Sequence, residues 1–295
     1  MSEKPFKSGF VSIVGKPNVG KSTLMNRLVG EPLSIITPKA QTTRHRIMGI
    51  INGDGYQIVY SDTPGILEPK YALHEAMMRY VKVSLEDADL VLLLVEPEEK
   101  FDADTYGRFG RLSVPVIVVI NKADTGRGSQ IADKMAYWKE QLPNAAAVLA
   151  ISALTGENLS ELLDTVVAHL PEHPPYFPED ELTDRPERFF AAELLREQIF
   201  LHYEQEVPYS TEVAISDFKE DDDIIRIRAE IYVERDSQKG ILIGKGGSAL
   251  KKVGIEARKR MEDFFQKKVF LETTVKVAKN WRREKERLKR FGYTE

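Results

Sequence analysis

Cysteine is absent from the 295 residues. No disulfide framework and no thiolate metal site can form, which suits a reducing compartment. Long apolar runs are absent too. The longest, residues 90–95 and 114–120, are too short to span a bilayer and read as buried strands. Met1-Ser2-Glu3-Lys4-Pro5 lacks the apolar core of a signal peptide. There is no long internal repeat, and no low-complexity stretch beyond one proline-rich run. What is present is globular composition, 42% hydrophobic and 30% charged, over a length that suits two domains.

A net charge of −4 hides a split. Residues 226–295 hold 20 Lys and Arg against 10 Asp and Glu, a balance of +10, and residues 1–225 carry −14. A basic C-terminal quarter on an acidic body points to an anionic partner, nucleic acid first and a membrane surface second. The plain alternative is a solvated charged helix.

The first half alternates short apolar strands (9–14, 46–52, 56–62, 90–96, 115–121, 147–152) with amphipathic stretches (21–29, 74–86, 102–112, 129–141, 158–169). That alternation predicts a mostly parallel sheet covered on both faces. Asn52-Gly53-Asp54-Gly55 predicts a hairpin, with one antiparallel strand at the edge. Four prolines between 171 and 178 read as a stiff linker and domain boundary. Beyond it come a helix (186–205), two strands (210–218, 224–234), two helices (238–243, 248–265), a strand (269–278) and a basic tail of helical composition (281–291). The expected architecture is a doubly wound α/β sheet of the P-loop type (1–172), a linker (173–185), an α+β domain (186–280) and a tail (281–295).

Gly15-Lys16-Pro17-Asn18-Val19-Gly20-Lys21-Ser22 fits G-x-x-x-x-G-K-[ST], with a strand before it and a helix, from Ser22 and Thr23 on, after it. Glycines let backbone N–H groups face phosphates, and the helix N-terminus adds its positive end. Lys21 is expected to reach the β- and γ-phosphates and Ser22 to ligate Mg²⁺. Asp62-Thr63-Pro64-Gly65 ends the third strand. A carboxylate there can hold Mg²⁺ through water, and the Gly65 N–H can bond a γ-phosphate. Alone it is a common Pro-Gly turn. Asn121-Lys122-Ala123-Asp124 follows the fifth strand. The Asp124 carboxylate accepts from guanine N1–H and N2, which adenine does not offer. Lys122 covers one face of the base and Asn121 ties this loop to the P-loop. Ser152-Ala153 ends the sixth strand, with the Ala153 N–H expected at guanine O6. Four pieces in this order at C-terminal strand ends predict a domain that binds GTP or GDP.

Gly244-Lys245-Gly246-Gly247, after Ile241-Leu242-Ile243 and before a helix with Lys251 and Lys252, is a G-x-x-G turn. Such turns clamp RNA backbone in K-homology (KH) domains, and the order helix-strand-strand-helix-helix-strand is similar to the type II arrangement. On its own the turn is equally a structural link between helices.

With Gln41-Thr42-Thr43-Arg44-His45 and Ile151-Ser152-Ala153 added, the chain resembles the Era family, GTPases of the TrmE-Era-EngA kind followed by a type II KH domain. The resemblance runs from about residue 9 to 283, and only one set of nucleotide motifs is present, which excludes sisters with tandem domains. It implies that residues 32–46 are the first switch, with Thr42 or Thr43 closing on Mg²⁺. Ile66, after Asp-Thr-Pro-Gly, cannot orient water as a glutamine would. Relatives with asparagine at the place of Asn18 hold K⁺ there, so K⁺ is expected here. Val277-Ala278-Lys279-Asn280-Trp281-Arg282-Arg283 also resembles the family, which implies RNA contacts from Lys279, Trp281 and Arg282; Trp281 is equally a core residue by type. The family implies a GTP hydrolase that binds the 3′ end of 16S rRNA and acts in small (30S) subunit maturation. It also implies a cytoplasmic monomer without a DNA partner, with weak peripheral contact at the inner face of the cell membrane as the alternative.

Overall fold

The computed structural model describes residues 5–126 and 128–293. The first four residues, read above for a leader, and the last two of the basic tail lie outside the described residues. The chain divides into two compact units. The first takes in residues up to 34, Thr43–Glu68 and Met78–Asp184; the second takes in Ile35–Thr42, Pro69–Met77 and the chain from Arg185.

The first unit contains β1 (Lys7–Gly15), α1 (Lys21–Val29), β2 (Ile47–Gly53), β3 (Tyr56–Asp62), most of α2 (Ala72–Glu86), β4 (Leu90–Val95), α3 (Ala103–Tyr106), β5 (Val116–Ile120), α4 (Gly128–Gln141), β6 (Ala147–Ala150) and α5 (Leu159–His169). The sheet runs β2-β3-β1-β4-β5-β6. β2 is antiparallel to β3 across the two-residue turn Asp54-Gly55, and the other pairs are parallel. Every residue of β4 and β5 is buried, as parallel strands covered on both faces require.

Two expectations for this unit need correction. The helix expected over 102–112 is broken into α3 and a 3₁₀ turn at Phe109–Arg111. Gly107 and Gly110 weaken helix there, and Tyr106 and Phe109 turn inward to pack with Trp138. The proline-rich run is not a free linker. Residues 173–184 run as a strap past Phe6 and past Gln57 of β3 and then, from Glu179, along the edge strand β2. Gln57, fully buried, accepts the N–H groups of Tyr176 (2.7 Å) and Phe177 (3.0 Å) and donates to the Phe177 carbonyl (2.8 Å). The Ile50 N–H reaches the Leu182 carbonyl and the Asn52 amide the Glu179 carbonyl. An edge strand has N–H groups to satisfy: that of Ile50 meets the Leu182 carbonyl and that of Met48 the Asp184 carboxylate (3.2 Å).

The second unit contains α6 (Glu187–His202), β7 (Glu212–Glu220), β8 (Ile224–Val233), α7 (Asp236–Ile243), α8 (Ser248–Phe265), β9 (Lys268–Val277) and α9 (Lys285–Arg290). β7 and β8 are antiparallel; β8 and β9 are parallel, joined through α7 and α8. β8 alternates, with Ile225, Ile227, Ala229, Ile231 and Val233 buried against Leu195, Ile199, Val253 and Ala257. The tail is part of this unit. Trp281, Leu288 and Tyr293 are buried, with the indole N–H on the Ser210 carbonyl (2.8 Å) and the Tyr293 hydroxyl on Glu212 (2.7 Å).

Residues 35–42, placed by sequence in the first domain, also pack here. Ile35 joins the core, and Lys39 Nζ binds the carbonyls of Phe200 (2.6 Å) and Tyr203 (2.7 Å) at the C-terminal end of α6. Arg196, fully buried, pairs with Glu193 and donates to the Thr42 carbonyl. No helix among the described residues is long and apolar enough to cross a membrane.

Candidate nucleotide site and nucleic-acid interface

β1 delivers the P-loop to the start of α1. Gly20 sits at φ 97°, and a Cβ there would fall 2.3 Å from Asn121 Nδ2, so the turn and the base loop can approach only around glycine. Lys21 is buried, with Nζ on the carbonyls of Gly15 (3.2 Å) and Lys16 (2.8 Å). Burial pulls its pKa down to about 8, against the raising effect of Asp62. Val19 belongs to the core, Lys16 pairs with Glu99 and Asn18 is exposed at φ 64°.

Ser22 Oγ donates to Asp62 Oδ2 (2.6 Å) and lies 2.9 Å from Thr43 Oγ1. Burial raises the Asp62 pKa, against its hydrogen bond from Ser22. The other carboxylate oxygen, Oδ1, is buried with no hydrogen-bond partner among the described residues. One carboxylate and two hydroxyls converging with an unsatisfied oxygen are hard donors that fit Mg²⁺ completed by phosphates and water. The Thr42 hydroxyl is engaged elsewhere, donating to the Lys39 carbonyl (2.6 Å) beside Thr37 Oγ1 (2.6 Å). Thr43, not Thr42, therefore faces Ser22, a choice the spacing left open. Thr63 is structural, its hydroxyl on the Ile13 carbonyl (2.8 Å), and Pro64 is buried. Gly65 lies against Pro17, where a side chain has no room. The Ile66 N–H donates to the Gly15 carbonyl (3.0 Å) and its side chain packs on the core, so it orders no water.

Asn121 joins three loops as its chemistry allows. Its amide donates to the Val19 carbonyl (2.8 Å) and its oxygen accepts the Ala153 N–H (2.9 Å). The expectation that this N–H is open to guanine O6 is corrected: it is already engaged, and O6 could only share it. Ser152 is buried, capping the Thr155 N–H (3.1 Å). Asp124 is exposed on a 3₁₀ turn, lining a cavity of about 290 Å³ with Ala150 and Asn158. Its carboxylate is open to water, and only a base seated on it would remove it from water. Lys122 Nζ binds the Asn18 carbonyl (2.9 Å) and Glu96. Sequence reasoning missed Glu96 and Glu99, although two acids just past β4 at the ligand edge of the sheet were a usable signal.

In the second unit, α7 ends at Ile243 and the G-x-x-G turn follows with Gly244, Gly246 and Gly247 all at positive φ. A Cβ on Gly244 would come within 2.6 Å of Ala249, so α8 can start close behind the turn only after glycine. Lys245, Lys251 and Lys279 are exposed and Ile243 is half-buried. Trp281 is corrected from RNA contact to core: it is fully buried and edge-on to Phe291 at 5.5 Å between ring centres. Arg282 is tied to Glu234 and lies 5.1 Å from the Tyr71 ring centre, so its charge is largely spent inside the protein.

A family model described as a 50S ribosome-binding GTPase matches residues 10–122, and a KH-domain model matches residues 206–282. GTPase Era of Geotalea daltonii is 46% identical over 297 residues, covering 99% of this chain and 100% of that one. The chain belongs to the Era family of GTPases. Two Era crystal structures superpose on it with a TM-score of 0.94 over 98% of this chain and 100% of theirs. One, 43% identical, holds MgGDPNP and nucleotides 1506–1542 of 16S ribosomal RNA. The other, 42% identical, is a point variant of Aquifex aeolicus Era with GDP·AlF4⁻. Like other Era GTPases, this chain joins a P-loop sheet to a KH domain.

Proposed function

We propose that this Era-family GTPase binds the 3′ end of 16S rRNA through its KH domain and serves maturation of the 30S subunit in the cytoplasm, as a monomer. The observation that carries this is the match, over nearly the whole of both chains, to an Era bound to MgGDPNP and a 16S segment. The exposed G-x-x-G lysine, Lys245, and the +10 balance of residues 226–295 agree with it.

Hydrolysis converts GTP and water into GDP and phosphate. Lys21 would meet the β- and γ-phosphates, Ser22, Thr43 and Asp62 would hold Mg²⁺, and Asp124 would read guanine. Mg²⁺ supplies charge at the phosphate oxygens; the protein supplies placement. Ile66 leaves water ordering to other groups. A K⁺ ion beside the Asn18 amide oxygen, exposed at the P-loop tip, would supply charge that an arginine supplies elsewhere. Equal turnover in Na⁺ and K⁺, or none lost in Asn18→Ala, would refute that part.

GTP is expected to favour the state that accepts RNA, by binding it more tightly than the other. Fluorescence anisotropy with a 16S 3′-end RNA should show tighter binding with GDPNP than with GDP. Identical affinities remove the switch; no binding to this RNA in either state removes the target. Sedimentation with anionic liposomes, with the RNA as competitor, tests the membrane alternative.

A further inference from the structure

Just past β4, residues 96–99 form a turn closed by the Glu99 N–H on the Glu96 carbonyl (3.0 Å). Lys134 Nζ binds the Glu99 carbonyl (3.1 Å), and the next N–H but one, that of Phe101, is held by the Tyr137 hydroxyl (3.0 Å). The turn is therefore fixed from behind by α4. From it, two carboxylates reach two loops of the nucleotide site. Glu99 binds Lys16 of the P-loop at 2.5 Å, and Glu96 binds Lys122 of the base loop. Neither acid belongs to a nucleotide motif.

We infer that Glu96 is a positioning residue of the nucleotide site, acting through Lys122, and that it slows the departure of guanine nucleotide. Lys122 adopts φ 64°, and its long side chain crosses from the base loop to the Asn18 carbonyl, 2.9 Å from Nζ. A lysine stem has many rotamers, and one carbonyl acceptor leaves several open. The Glu96 carboxylate, carried on a turn held by α4, is a second acceptor that narrows that choice. The stem is then in place before a base arrives, and the ordering cost is not charged against binding. The Asn121 N–H on the Val95 carbonyl (2.9 Å) holds the same base loop to the same strand end, so the carboxylate and the lysine move together.

A carboxylate near a nucleotide could act oppositely, by repelling phosphate. The two effects differ in form. Repulsion grows with the number of phosphates; positioning of a base-covering lysine does not. Release of fluorescent mant-GDP and mant-GDPNP should be measured for Glu96→Ala, Lys122→Met and the double variant, with nucleotide-free unfolding midpoints as a fold control. Glu96→Ala should speed both releases by the same factor, about three- to fivefold, the size of coupling in a partly exposed ion pair. In the Lys122→Met background it should add nothing. Unchanged or slower release in Glu96→Ala, a larger effect on mant-GDPNP, or full additivity would overturn the inference. If Glu96→Ala does not fold, Glu96→Gln enters the same cycle under the same criteria. The inference rests on Lys122 covering the base. Release unchanged by Lys122→Met would fail that reading; fast release there with no effect of Glu96→Ala would fail the inference alone.

Discussion

Raising the pH from 7.5 to 9 should weaken GDP binding about eightfold through Lys21 alone. In the free protein burial lowers its pKa from 10.5 to about 8, because the ammonium has lost water and has mainly carbonyls in return. Bound phosphates restore a counter-charge and return the value toward 10.5, so binding takes up a proton wherever the free protein has lost it. The free-state value lies below the ordinary one, so the penalty on charged Lys21 is full below pH 8 and fades as pH rises toward 10.5. The span corresponds to about 3 kcal/mol, lost from nucleotide affinity over that window and regained as stability of the empty protein. Titration calorimetry of GDP without Mg²⁺, in two buffers of different ionisation enthalpy, reads the proton directly. Uptake should be about 0.1 proton at pH 7 and about 0.7 to 0.8 at pH 8.5. No uptake at pH 8.5 would refute the argument.

Thr43→Ala should weaken Mg²⁺ binding to the GDPNP complex at least about tenfold and Thr42→Ala much less, because only Thr43 faces Ser22; Mg²⁺ titration of fluorescent-nucleotide release checks it. Arg196→Met should destabilise the second unit by about 3–5 kcal/mol, since the buried Glu193 loses the guanidinium that neutralises it, and Glu193→Gln added to it should recover part; thermal unfolding decides. Trp281→Ala should cost about 3–5 kcal/mol of stability while folded protein keeps its RNA affinity. Lys245→Glu should do the reverse, losing RNA affinity at unchanged stability.

The sheet and its ligand edge were legible because apolar runs such as residues 90–95 admit one reading, and because the phosphate and base loops are tied to strand ends by fixed spacing. The Asn121 bond to the P-loop followed from its place in the motif after the fifth strand. What was not legible came from tertiary partners. Trp281 beside arginines reads equally as core and as RNA contact, and what decides it, the Ser210 carbonyl, lies far away in sequence. Nothing local says that Ala153 serves Asn121, that Glu96 meets Lys122, or that Thr42 spends its hydroxyl on its own turn. The 102–112 helix failed because two glycines and two inward aromatics outweighed a helical period.

The strap over β2 decides where the chain can be divided. A first-unit fragment ended at residue 172 would keep its nucleotide motifs but lose the peptide groups that satisfy Gln57, Ile50 and Asn52. It would carry a bare strand edge, open to pairing with its copies in solution. A fragment carried on to Asp184 keeps that edge dressed, and should stay dispersed at concentrations where the shorter one clouds.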